Sequence, residues 1–175
     1  MAKQRTENRI DLIHSKITEE ECQRMVGEFM QTFSFLEDKI NRIIKDIADL
    51  NTVEGTILIA NISFRDKSNS LKTLLNFFLI AEKDRKIIST IFKKIEKVST
   101  YRNQVAHNMF WASDDGSGLV FGITKSKGDL SMPDIVWTKN DFKNRIGEIE
   151  NIISVLGVKT NHVIEIKKIL SNKNP

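Results

Sequence analysis

Arg102, Asn103 and His107 stand close together in the run Tyr101-Arg102-Asn103-Gln104-Val105-Ala106-His107. A histidine can take or return a proton near neutral pH. An arginine is a permanent, forked donor suited to charge developing on phosphoryl oxygens. At about 100° per residue, Arg102 falls within about 20° of the stripe Ile91, Ile95, Val98 and Val105, so a cation stands on an otherwise apolar face. Such a charge is costly without a carboxylate, a phosphate or an interface around it. On a neighbouring face Glu96, Thr100, Asn103 and His107 recur at helical steps, and Asn103 can hydrogen-bond His107 and fix its orientation. A histidine in a last helical turn also faces the negative end of the helix dipole, which favours the imidazolium.

These residues need a helix to carry them, and the pattern predicts one from about Arg85 to His107, with Ile88 and Ala106 at the edge of its apolar face. Upstream, Thr18 with Glu21 forms a capping box. It opens a long helix whose core face is Met25, Phe29, Phe33, Leu36, Ile40, Ile43, Ile47 and Leu50, ending near Asn51 to Gly55. A stretch from about Ser70 to Glu82 is apolar on more than one side, which predicts a central helix. Residues 109–137 carry Gly116, Gly118, Gly122 and Gly128 around two short β-like runs, Leu119 to Thr124 and Ile135 to Trp137. They predict a β-hairpin or flap insertion. Thr138 with Asp141 caps a last long helix through Phe142, Ile146, Ile149, Ile153 and Leu156, which Gly157 is expected to kink or break.

The expected fold is therefore mainly α, an up-and-down bundle of about four helices with a small β insertion before the last long one. The 175 residues suit a single domain, with 1–17 as a polar N-terminal arm. Cys22, the single cysteine, forms no internal disulfide, and three dispersed histidines offer no metal-ligand spacing. No cofactor or metal is expected. The polar run Met1 to Glu7 lacks a signal-peptide core, and the longest apolar run, Leu74 to Ala81, is broken by Asn76. A cytoplasmic protein with no membrane partner is the expectation. A net charge of +4 and a pI near 9.1 are compatible with a polyanion, although both signs are interspersed along the chain.

The run Arg102 to His107 resembles the HEPN superfamily, whose signature is an arginine, a polar residue often asparagine, and a histidine closing a bundle helix. The Ala106-His107 pair followed by an aromatic, Trp111, is similar to many bacterial members, and the resemblance covers about Ile88 to Trp111. It implies a homodimer in which the motif helices of two copies pair, and a metal-independent endoribonuclease leaving a 2′,3′-cyclic phosphate and a 5′-OH. His107, Arg102 and Asn103 would be catalytic, with Thr100, Tyr101, Glu96 and Trp111 as substrate contacts. RNA is then the partner, and a toxin with a cognate antitoxin or a phage-defence protein is the setting. Many members of the superfamily bind without cutting, which leaves a non-catalytic helical dimer for RNA or a protein as the alternative, and an adaptor with no nucleic-acid role as a third.

Plainer roles compete at each position. Arg102 can form a structural ion pair and His107 can cap open carbonyls. Tyr101, Trp111 and Trp137 can be packing residues, and Met25, Met30 and Met109 core filler. Lys93-Lys94, Lys125 to Lys127 and Lys167-Lys168 read as solvated faces, with the flap lysines able to track a phosphate backbone. Arg9 and His14 repeat the motif spacing without its asparagine and are taken as coincidence, and His162 has no assigned role.

Overall fold

In the computed structural model, which describes residues 16–79, 81–123, 125–127, 129–131 and 134–171, Thr18 and Glu21 cap the first helix as the sequence predicts. The Thr18 N–H donates to Glu21 Oε2 (3.1 Å) and the Glu21 N–H donates to Thr18 Oγ1 (3.2 Å). Helix α1 then runs Glu19–Ala48. It stops short of the expected end because Asp49 turns left-handed at φ 55°, and the Leu50 N–H donates back to the Lys45 carbonyl at 3.1 Å. That is the hydrogen bond of a Schellman cap. Its stripe from Met25 to Ile47 is buried, whereas Leu50 lies beyond the helix and is half-buried.

Where the first helix was expected to end, a further helix that the sequence reading did not include begins, α2, Thr52–Ile59. Asn51 caps it, its Oδ1 accepting from the Val53 and Glu54 N–H groups at 3.0 Å each. Gly55 is buried, and a Cβ there would collide with Cγ and Cδ of Lys45. Helix α3, Phe64–Phe78, starts six residues before the predicted Ser70, because Ser63 Oγ accepts from the Asp66 N–H at 3.2 Å. Leu71, Leu75 and Leu79 are buried, but Phe77 is 77% exposed. The helix is one-sided, not central, and its second apolar edge faces outward. Helix α4 spans Glu82–His107.

Strands β1 (Met109–Ala112), β2 (Leu119–Gly122) and β5 (Asp134–Trp137) form an antiparallel sheet in the order β1-β2-β5. Strands β3 (Lys125–Lys127) and β4 (Asp129–Ser131) pair as a separate ribbon. The predicted β runs correspond to β2 and β5, while β1 pairs Trp111 with Val120 and was not anticipated. Gly116 makes the β1–β2 turn at φ 71°. Beside it, the Ser117 N–H and the Ser113 and Ser117 hydroxyls hold the Asp115 carboxyl down to about 2. Met109, expected as core filler, is 82% exposed on the edge strand β1.

Helix α5, Lys139–Ser171, is continuous through Gly157, so it does not break there. The remaining backbone groups carry the helix across that position regardless of the missing Cβ. Its cap is the predicted one, the Thr138 N–H donating to Asp141 Oδ2 (2.9 Å) and the Asp141 N–H to Thr138 Oγ1 (3.1 Å). The protein is thus mainly α, with five helices among the described residues and a small antiparallel sheet before the last. The described residues within 1–31 and 101–146 form one compact unit, and those within 32–100 and 147–175 form another. In the first, Phe29, Phe121, Phe142 and Trp137 make an aromatic core, with Trp137 4.9 Å from Phe121 and 5.1 Å from Phe142 between centroids. Cys22 is buried and free in the same unit, and burial raises its thiol above the usual value. In the second, Leu36, Ile40, Leu71, Ile95, Ile152 and Leu156 are buried among helices alone. No helix among the described residues is long and apolar enough to cross a membrane.

Candidate functional site

The Arg102–His107 motif closes α4 inside the first unit. Val105 anchors this last turn, being buried, while Ala106 and His107 are exposed. Asn108 ends the helix: its Nδ2 donates to the Gln104 carbonyl at 2.6 Å. The capping role open to His107 is therefore filled by the next residue, and the imidazole stands at the surface as the last helical side chain. Strand β1 follows at Met109 and is held where the Ala112 N–H donates to Glu19 Oε1 of the first turn of α1, at 2.8 Å.

Arg102 is half-buried, and its Nη1 donates to Asn103 Oδ1 at 3.2 Å. Asn103 is thereby engaged with the arginine and not with His107, as the spacing had suggested. Because α4 keeps its helical course through His107, the two motif side chains leave it about 140° apart. The outward swing of His107 that would bring them together in one copy is not present.

The proposed substrate contacts are dispersed. Tyr101 packs edge-on against Trp137 with centroids 5.6 Å apart. The Arg145 guanidinium lies over both rings, 4.7 Å from the Tyr101 centroid and 3.7 Å from that of Trp137. Tyr101 and Trp137 thus serve the packing of this unit, Trp137 being almost fully buried. Trp111 remains 38% exposed on β1. Its ring edge lies so close to Gly122 that a Cβ there would meet it at 3.0 Å, the diagonal contact of a cross-strand pair. Glu96 and Thr100 belong to the second unit, both exposed, with the Thr100 hydroxyl donating to the Glu96 carbonyl at 3.2 Å.

Arg145 escaped the sequence reading although its signal was the one that drew attention to Arg102. It stands three residues after Phe142 and four before Ile149, a cation on a buried stripe. Its Nη1 is 3.8 Å from Asp141 Oδ1, and it is buried without a hydrogen bond, as is Gln104 Nε2 within the motif. Arg9 and His14 lie outside the described residues. No group of three or more His, Cys, Asp or Glu side chains is clustered for a metal ion among the described residues. No family model, curated protein or solved structure matches the chain, so a functional reading rests on its own residues.

Proposed function

We propose that the protein is a metal-independent endoribonuclease of HEPN type acting through His107 and Arg102. The observation that carries this reading is the placement of His107, exposed at the very end of α4 and relieved of capping by Asn108. Among the described residues, none forms a hydrogen bond or ion pair with its imidazole. In the reaction, His107 takes the proton of a ribose 2′-OH, the 2′-oxygen bonds to the adjacent phosphorus, and the bond to the 5′-oxygen breaks. The leaving oxygen takes a proton from water to become a 5′-OH, a 2′,3′-cyclic phosphate remains, and His107 returns its proton to the solvent. Arg102 stabilises the charge on the phosphoryl oxygens, steadied by Asn103.

One copy presents Arg102 and His107 on divergent faces, so the active centre is a composite of two α4 helices paired in a homodimer. Paired arginines in such a cleft favour an anion between them. The setting that goes with this family is a toxin or phage-defence protein, with or without an antitoxin. The test is cleavage of RNA in EDTA, with cyclic-phosphate ends, lost in His107→Ala and in Arg102→Ala and partly restored when the two variants are mixed. Cleavage undiminished in His107→Ala sinks the assignment.

A second reading has its own support, since Asn103 is bound to Arg102 and leaves the imidazole unoriented. In that reading the chain is a non-catalytic dimer binding RNA or a protein through the same groove. It predicts retention of RNA with no new ends.

A further inference from the structure

A cavity of about 200 Å³ opens in the second unit, lined by Asp38, Asn41 and Lys45 of α1, by Thr56 of α2, by Ala60 just after it and by Lys67 of α3. Asp38, Asn41 and Lys45 recur at steps of three and four, so one polar face of α1 forms a wall. Lys67 is only 6% exposed. Its Nζ donates to Glu37 Oε1 at 2.8 Å, which uses one of the three donors of an ammonium. Asn41 Oδ1 is buried and accepts no hydrogen bond. A buried cation with donors to spare and a buried acceptor with none to meet are both costly to folding alone, and both belong to this cavity.

The charges point the same way. Arg42 binds Asp38 at 2.6 Å, and Lys67 binds Glu37. With Lys45, the lining residues and their ion-pair partners hold three cations against two carboxylates. One positive charge is left over, next to an orphan acceptor.

We propose that this cavity binds a small organic anion that also carries a hydroxyl, the anionic end taken by Lys67 and Lys45 and the hydroxyl donating to Asn41 Oδ1. The inference is independent of Arg102 and His107. The shared chemistry is a hydroxylated anion, which a phosphomonoester or a hydroxycarboxylate can supply. Calorimetric titration of the full chain with glycerol 3-phosphate and with lactate, at constant ionic strength, separates these two sources. Sulfate serves as the donorless anion.

Saturable binding of one equivalent of either hydroxylated anion, with sulfate at least tenfold weaker, is expected. Asn41→Leu should weaken that binding at least tenfold while its melting temperature stays equal or rises, because a buried orphan acceptor has been replaced by an apolar group of similar size. Lys67→Met should weaken it as well; if that variant does not fold, Asn41→Leu decides. The proposal is overturned if neither anion binds saturably, if sulfate binds as well as both, or if binding survives Asn41→Leu unchanged. The first result leaves the cavity to water, the second makes it an unselective anion site, and the third removes Asn41 from the binding of the anion.

Discussion

Arg102 reaches sideways to its immediate neighbour Asn103, Nη1 to Oδ1 at 3.2 Å. Adjacent residues on a helix do not face one another, so this contact requires the long arginine side chain to fold across the helix surface. The amide oxygen thereby accepts one hydrogen bond from the guanidinium of a half-buried arginine.

Removing that hydrogen bond should affect the proposed chemistry more than stability. Asn103 is exposed, so Asn103→Ala should change the unfolding free energy by no more than about 0.5 kcal/mol. Under the proposed endoribonuclease reading, RNA cleavage should fall by about tenfold, the equivalent of roughly 1.4 kcal/mol in the barrier. Urea unfolding and initial rates on a labelled RNA check the two halves. An unaltered rate would mean that Asn103 does not steady the arginine for catalysis.

Arg145 should matter to the fold of the first unit. Its guanidinium lies 3.7 Å over Trp137 and 4.7 Å over Tyr101. Arg145→Ala should cost about 1–2 kcal/mol through lost cation–π contact and stem packing. Arg145→Lys should recover only part of it, since an ammonium cannot stack as a plane. Denaturant melts followed by tryptophan fluorescence read both, and full recovery by lysine would contradict the stacking argument.

Acid should weaken the start of α5. The Thr138 N–H and hydroxyl hold the Asp141 carboxyl below its usual value, so its folded value is depressed relative to the unfolded chain. The stability it contributes is complete above the unfolded value, about 3.9, and is lost as pH falls through the folded one. Stability should therefore decline as pH drops below about 4, and Asp141→Asn should flatten that decline while lowering stability at neutral pH. Thr138→Ala should cost about 1 kcal/mol at pH 7. Urea melts between acid and neutral pH measure this, and an Asp141→Asn profile parallel to the wild type would remove Asp141 as the cause.

Helix α3 offers a contrast between two neighbours. Leu75 is fully buried and Phe77 is 77% exposed. Leu75→Ala should cost about 2–5 kcal/mol, and Phe77→Ser no more than about 0.5 kcal/mol. Equal losses in thermal melts would place Phe77 in a covered position.

What the chain determined by itself is what short stretches of backbone decide alone. The boxes at Thr18–Glu21 and Thr138–Asp141 formed where the residue types demanded, because the groups that satisfy each other are three residues apart. The α1 stripe from Met25 to Ile47 was readable for the same reason, a period repeated often enough to admit one helix. The motif Arg102 to His107 was readable as spacing, and its position at the end of α4 follows from the periodicity before it.

Tertiary structure decided the rest, through contacts between residues far apart in sequence. Helix α2 was hidden because Val53, Ile57 and Leu58 are apolar yet exposed, so no amphipathic period marks it. Strand β1 exists only by pairing with β2, and four residues carry too little pattern to announce a partner. Tyr101 went to Trp137 and Arg145, residues brought from the sheet and from α5, instead of standing free as a base platform. Whether Asn103 turns to Arg102 or to His107 is a choice between two side-chain rotamers. Both are compatible with the same helix, so the spacing alone does not decide between them, although the contact that forms is between neighbours.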